Sequence, residues 1–226
     1  SNVIQNIFAT LKFRIISQKE DDWIAIFNHY NLWMWHFLLL FTAARPVAEF
    51  PGFLKSFNLK RKICMVSDKE VGGRQGYGRL IPLGHFVVQE LQKFIDFLDY
   101  FKTHIAPSQP EIPQHIQQIL ESKLPLLNIF QNGQWHTLRP SIIKKFNPEL
   151  GLHHENWHRH TARAFLSHKI SEIEILALFG HEPMQQEAAH PYSSLSISQY
   201  SSIAHVLEQM KDHFQITGIE LDVLTQ

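Results

Sequence analysis

His154, Glu155 and His158 stand in the spacing H-E-x-x-H. On a helix this puts two imidazoles on one face with a carboxylate beside them, the arrangement that binds zinc and activates water for peptide hydrolysis. The chain carries 15 His, so a match of this kind arises easily by chance. The extended form of the motif needs a Gly and a third His further on, where this sequence has Thr161 and Ala164. Glu172 or Glu174 is left as a more distant third ligand. Pro148 and Gly151 place His154 close to a helix start, before a helical face is available to it. A zinc metallopeptidase is therefore the lesser reading, and no metal or other cofactor is expected.

The elements that must position any site are mostly helices. Apolar spacing predicts helices over Val3–Ser17 and Asp21–Ala43, the second broken by Arg45-Pro46. Ile63, Met65 and Val66 mark a strand, Gly72-Gly73, Gly76 and Gly78 a turn, and Leu80-Ile81-Pro82-Leu83 the returning strand of a hairpin with a long tip. Phe86–Ile105 is strongly amphipathic, with Phe86, Val87, Leu91, Phe94, Ile95, Leu98 and Phe101 recurring on one side. A Pro-rich loop over Ala106–Pro113 leads to a helix over Ile112–Leu124. Asn128–Leu138, with Asn132-Gly133 inside it, reads as a second small hairpin. Helices are expected again over Trp157–His168, Glu172–Phe179 and Ser198–His213.

Composition narrows the class. Hydrophobic residues make up 44% of 226, with 17 Phe and 5 Trp, enough for a packed core. The single Cys, Cys64, excludes an internal disulfide framework and fits a reducing, cytoplasmic setting. The uncharged run Trp23–Ala44 matches the length of a bilayer span, about 20 residues. It carries Asn28, His29, Tyr30, Asn31 and His36, however, which are costly in lipid. It reads as a buried amphipathic helix with one polar face, and no membrane association is expected. The 21 basic and 21 acidic residues balance, which counts against a nucleic-acid binder unless charge is segregated. Lys55–Arg79 is such a segment, with seven basic residues against Asp68 and Glu70.

Four segments taken in order carry a resemblance. The first is the hydrophobic run Leu38–Phe41 leading through Thr42-Ala43-Ala44 to Arg45, with Glu49 soon after. The second is Ile63–Leu83, holding Lys69 and closing on Arg79-Leu80-Ile81-Pro82-Leu83. The third is Asn156-Trp157-His158-Arg159-His160-Thr161. The fourth is Leu176-Ala177-Leu178-Phe179-Gly180-His181, followed by Tyr192 and then Tyr200. Together they resemble the catalytic domain of the tyrosine recombinases, the phage integrase family, over nearly the whole chain. The sequence departs from the family at four places: Ala where the first box has Gly, Glu49 displaced by one position from the family's acidic residue, Asn156 where the third box has His, and a tyrosine eleven residues after Gly-His rather than about nine.

The resemblance implies a function and its residues. The chain would cleave and rejoin double-stranded DNA through a 3′-phosphotyrosine, needing neither metal nor ATP. Arg45 and Arg159 would clamp the non-bridging oxygens of the scissile phosphate bidentately and stabilise charge in the transition state. His181 would hydrogen-bond the same phosphate, and Lys69 would protonate the departing 5′-hydroxyl. Tyr192 would be the nucleophile, with Tyr200 in reserve. A phenol has an ordinary pKa of about 10 and attacks only once its proton is taken or its anion stabilised. Asn156 can hydrogen-bond but cannot serve as a base near neutral pH. The implied fold is mainly α with a small antiparallel β-sheet (α+β), in one catalytic domain over residues 1–226. The implied partners are duplex DNA and further copies of the chain assembled on it. The family's separate N-terminal DNA-clamping domain has no counterpart here, and the opening Ser1-Asn2-Val3 without Met reads as a truncated or processed chain. A relative that binds DNA without cutting it is the alternative.

Overall fold

The computed structural model describes residues 2–18, 22–47, 50–67, 70–71, 74–75, 78–104, 109–148, 156–180 and 197–221. Helices α1 (Asn2–Ile16) and α2 (Trp23–Thr42) come first. A short 3-10 turn at Leu54–Ser56 then leads into strands β1 (Phe57–Asn58), β2 (Ile63–Val66), β3 (Glu70–Val71), β4 (Arg74–Gln75) and β5 (Arg79–Pro82). Helices α3 (His85–His104) and α4 (Glu111–Leu120) precede a hairpin of β6 (Asn128–Gln131) and β7 (Gln134–Thr137). Helices α5 (Pro140–Phe146), α6 (Trp157–Leu166), α7 (Glu172–Phe179) and α8 (Ile197–His213) complete the chain. The architecture is thus mainly helical with small antiparallel sheets. β2 lies between β1 and β5, while β3–β4 and β6–β7 are separate ribbons.

α2 is the centre of the molecule. The Asp22 side chain accepts from the Ala25 amide at its start, the usual device for satisfying a first-turn N–H. From Ile26 to Thr42 every residue except His29 is buried. The expected single polar face is not present, because α2 is covered on all sides and its polar residues work inward. Asn28 donates to the Phe130 carbonyl and accepts from the Phe130 amide, both at 2.8 Å. Asn31, one turn on, accepts from the Asn128 amide at 3.0 Å. These two amides complete the open edge of β6, where unpaired backbone groups would otherwise be buried. Replacing Asn28 with Ala removes both partners of Phe130. At about 1–3 kcal/mol per orphaned group, a loss of about 2–6 kcal/mol is expected from urea unfolding. An unchanged urea midpoint would show that water substitutes for the amide.

Aromatic packing joins α2 to its neighbours. Phe27 stacks on Phe101 of α3 at 4.7 Å, Tyr30 meets Phe94 and Phe97, and Phe8 of α1 meets Trp33 edge-on. Such pairs add to the area they bury. Of the α3 stripe read from the sequence, Phe86, Val87, Leu91, Phe94, Leu98 and Phe101 are buried against this core, and Ile95 is half-buried at its margin. Glu90, also buried on α3, accepts from the Ile219 amide and pairs with Lys93, so the C-terminal stretch is pinned to α3.

Two elements differ from the sequence reading. α4 stops at Leu120, because Ser122 turns left-handed (φ 58°) and the Lys123 amide returns to the Gln118 carbonyl. α5 was not expected. It begins at Pro140, whose fixed φ suits a first helical position and whose missing N–H costs nothing there.

Candidate functional site

α7 is built to end where it does. Ser171 accepts from the Glu174 amide, and Glu174 accepts back from the Ser171 amide, a reciprocal cap at the start. At the other end Gly180 adopts φ 60°, a conformation that glycine takes without the strain a side chain brings. The last carbonyls of α7 therefore point outward at a helix C-terminus, where partial negative charge accumulates.

Two guanidinium groups take those carbonyls. Arg159, on α6 and only 7% exposed, donates through Nη2 to the Phe179 carbonyl at 2.5 Å and through Nη1 to the Ala43 carbonyl at 2.7 Å. Its Cζ also lies 4.5 Å from the centre of the Phe179 ring, a favourable seat for a cation. Arg79, on β5, donates through Nε to the Leu178 carbonyl at 2.8 Å. Ala43 is the left-handed cap of α2 and stands two residues before Arg45. One side chain thus ties together the chain around Arg45, the box around Arg159 and the turn at Gly180, segments separated by 116 and 20 positions. Arg45 itself is half-buried, with its carbonyl accepting from the Val47 amide at 2.8 Å.

Asn156 stands at the N-terminus of α6, exposed, one turn before Arg159, and its side chain makes no capping bond. Lys69, His181, Tyr192, Glu49, His154 and Glu155 lie outside the described residues. Tyr200 is in the first turn of α8, its hydroxyl 3.5 Å from the Leu80 carbonyl, next in the chain to Arg79. Arg79 and Phe179 received no role from the sequence. Arg79 was visible only as the basic residue opening Arg-Leu-Ile-Pro-Leu, and nothing local marks Phe179 as a platform.

A cleft between the sheet and α8 is lined by Arg61, Lys62, His85, Tyr200, His205 and Glu208 among others. The Glu208 carboxylate is engaged: it accepts from the Phe86 amide at the start of α3 and lies 3.5 Å from Lys211. With Lys55, Lys60, Arg61 and Lys62 all exposed, the segment around β1 and β2 presents concentrated positive charge on a chain of zero net charge.

His158, the second imidazole of the H-E-x-x-H spacing, points into the core. Its Nε2 lies 2.8 Å from Nδ1 of His36 on α2, with the rings of Trp35 and Trp157 around the pair. Among the described residues no group of three metal-ligating side chains converges. Burial pushes His36 down to about 3, since a charged imidazole would lose its hydration there. A depressed histidine pKa means that the unfolded chain takes up the proton first. Stability is therefore complete above the ordinary value of about 6.5 and falls at about 1.4 kcal/mol per pH unit as pH drops towards 3. Urea midpoints at pH 7, 5.5 and 4.5 should decline accordingly, and His36→Leu should flatten the decline. An equally steep profile in that variant would assign acid sensitivity elsewhere.

No family model matches the chain, and neither does any curated protein or solved structure. Among the described residues no helix is long and apolar enough to cross a membrane.

Proposed function

We propose that the chain is a site-specific DNA strand transferase of the tyrosine recombinase type, with the corresponding catalytic-domain fold. The observation that carries this reading is the Arg159 junction. In the sequence, Arg45, the Arg159 box and Gly180-His181 are related only by their order. In the fold, one buried guanidinium joins the three chain segments through the Ala43 and Phe179 carbonyls. Convergence of this kind is what a phosphate clamp drawn from distant segments requires. Arg159, with Arg45, would hold the non-bridging oxygens. Lys69 would protonate the leaving 5′-oxygen, His181 would bond the phosphate, and Tyr192 would attack phosphorus. The cationic cleft and the Lys55–Lys62 surface supply the charge that duplex DNA attracts. Duplex DNA is the partner, with several copies of the chain assembled on it for strand exchange, in a cytoplasmic setting.

A second reading, a relative that binds DNA without cutting it, has one observation in its favour. Asn156 occupies the place of a titratable histidine and stands exposed at the head of α6. A duplex carrying a nick just 3′ of the scissile phosphate separates the two, because the short product diffuses away and traps the covalent complex. A protein–DNA adduct stable to boiling in detergent, and formed in the presence of a chelator, is expected. Salt-sensitive retention of the duplex without any adduct would favour the non-cleaving relative. Activity that disappears on chelation would overturn the metal-free mechanism.

A further inference from the structure

Arg79 occupies the last rung of the three-stranded sheet. It pairs with Val66 of β2, three positions before Lys69 in the sequence. Its Nε donates to the Leu178 carbonyl, and the next carbonyl along α7, that of Phe179, is taken by Arg159. The two outgoing carbonyls of one helix are thus divided between a guanidinium from the sheet and one from α6. The fit to the following residue is close. A Cβ on Gly180 would lie 3.2 Å from Cδ and 3.3 Å from Nη1 of Arg79. The arginine therefore lies flush against a backbone that has no side chain, at a position whose φ of 60° already favours glycine.

A solvated arginine capping a helix end would need only the carbonyl. Here the stem is also packed under the Gly180 turn, and the strand that carries it is fixed by four rungs to β2. We infer that Arg79 is a positioning residue for strand transfer, holding the base of the β2–β5 hairpin in register with the Gly180 turn and the Arg159 seat. This inference rests on the proposed recombinase activity, for which it adds a residue that acts through the Gly180 turn and the Arg159 seat. Its effect is on geometry: misplacement by about 1 Å at a reacting centre costs about 100-fold in rate.

The test uses the full chain with Arg79→Met, Arg79→Lys, Gly180→Ala and the Arg79→Met/Gly180→Ala double variant. Methionine keeps an unbranched stem but removes the donor, and lysine restores a donor. Three quantities are measured: the rate of adduct formation at saturating nicked duplex, the Kd for intact duplex, and amide exchange of peptides spanning residues 176–180. Arg79→Met is expected to slow the adduct about 10- to 100-fold with Kd within about twofold, and Arg79→Lys to recover part of that loss. Gly180→Ala should act on the same contact, so the double variant should be no slower than the slower single one. Faster exchange over residues 176–180 in Arg79→Met, with α2 and α3 peptides unchanged, shows that the loss is local. Multiplying effects, unchanged exchange, or a loss confined to Kd would each overturn the inference. If the unsubstituted chain forms no adduct, the recombinase reading fails first. Accelerated exchange would then leave Arg79 as a structural contact with no part in strand transfer.

Discussion

Arg159→Ala is expected to destabilise the chain by about 3–6 kcal/mol and to slow adduct formation by at least about 100-fold. The first figure follows from two charge-assisted hydrogen bonds, each contributing about 1.5–3 kcal/mol, to the Ala43 and Phe179 carbonyls. Truncation leaves both carbonyls, at two helix C-termini, without their cationic donor, and strips the Phe179 ring of its cation. The second figure is that of removing one preorganised donor from a developing oxyanion. The two effects separate in Arg159→Lys. Lysine keeps the charge, but a single ammonium cannot reproduce the planar fork that spans two carbonyls. Its urea midpoint should fall between those of the unsubstituted chain and Arg159→Ala, while the adduct rate should stay near that of Arg159→Ala. Unfolding of Arg159→Ala at the unsubstituted midpoint would show that α2 and α7 are held together by other contacts. A full adduct rate in Arg159→Lys would remove Arg159 from the chemistry.

Tyr192→Phe should abolish the covalent adduct, whereas Tyr200→Phe should form it at close to the unsubstituted rate. Loss of the attacking oxygen leaves nothing to bond to phosphorus, so the first effect has no partial form. The ring is retained in both variants, so folding is preserved. Tyr200 forfeits only a 3.5 Å contact to the Leu80 carbonyl, too long to contribute much. The choice between the two phenols follows from spacing: Tyr192 comes eleven residues after His181, Tyr200 nineteen. Tyr200 has a structural argument of its own, because its hydroxyl rests on the strand whose Arg79 reaches α7. The opposite pattern, an adduct in Tyr192→Phe and none in Tyr200→Phe, would move the nucleophile to the head of α8 and leave the phosphate clamp as proposed. Gel-shifted adduct after detergent denaturation reads both.

What the sequence determined by itself is local. The apolar stripe of α3 became its buried face, Asn132-Gly133 became the turn between β6 and β7 with both residues at positive φ, and Gly180 became the stop of α7. Each of these depends on neighbours within a turn or two, where spacing and backbone preference act directly. The residue types of the candidate site were legible in the same way, as boxes in an order. What only the tertiary structure decided is which polar group serves which distant partner. Asn28 and Asn31 look like a polar face and instead complete the edge of β6 about 100 positions away. His158 looks like half of a metal motif and instead pairs with His36 inside the core. Arg159 looks like a residue of one box and instead holds two helix ends together. The physical reason is common to all three. Burial makes an unsatisfied polar group expensive, so each must find a partner, but which partner lies within 3 Å is fixed by how helices and strands pack, and periodicity along the chain carries no record of that.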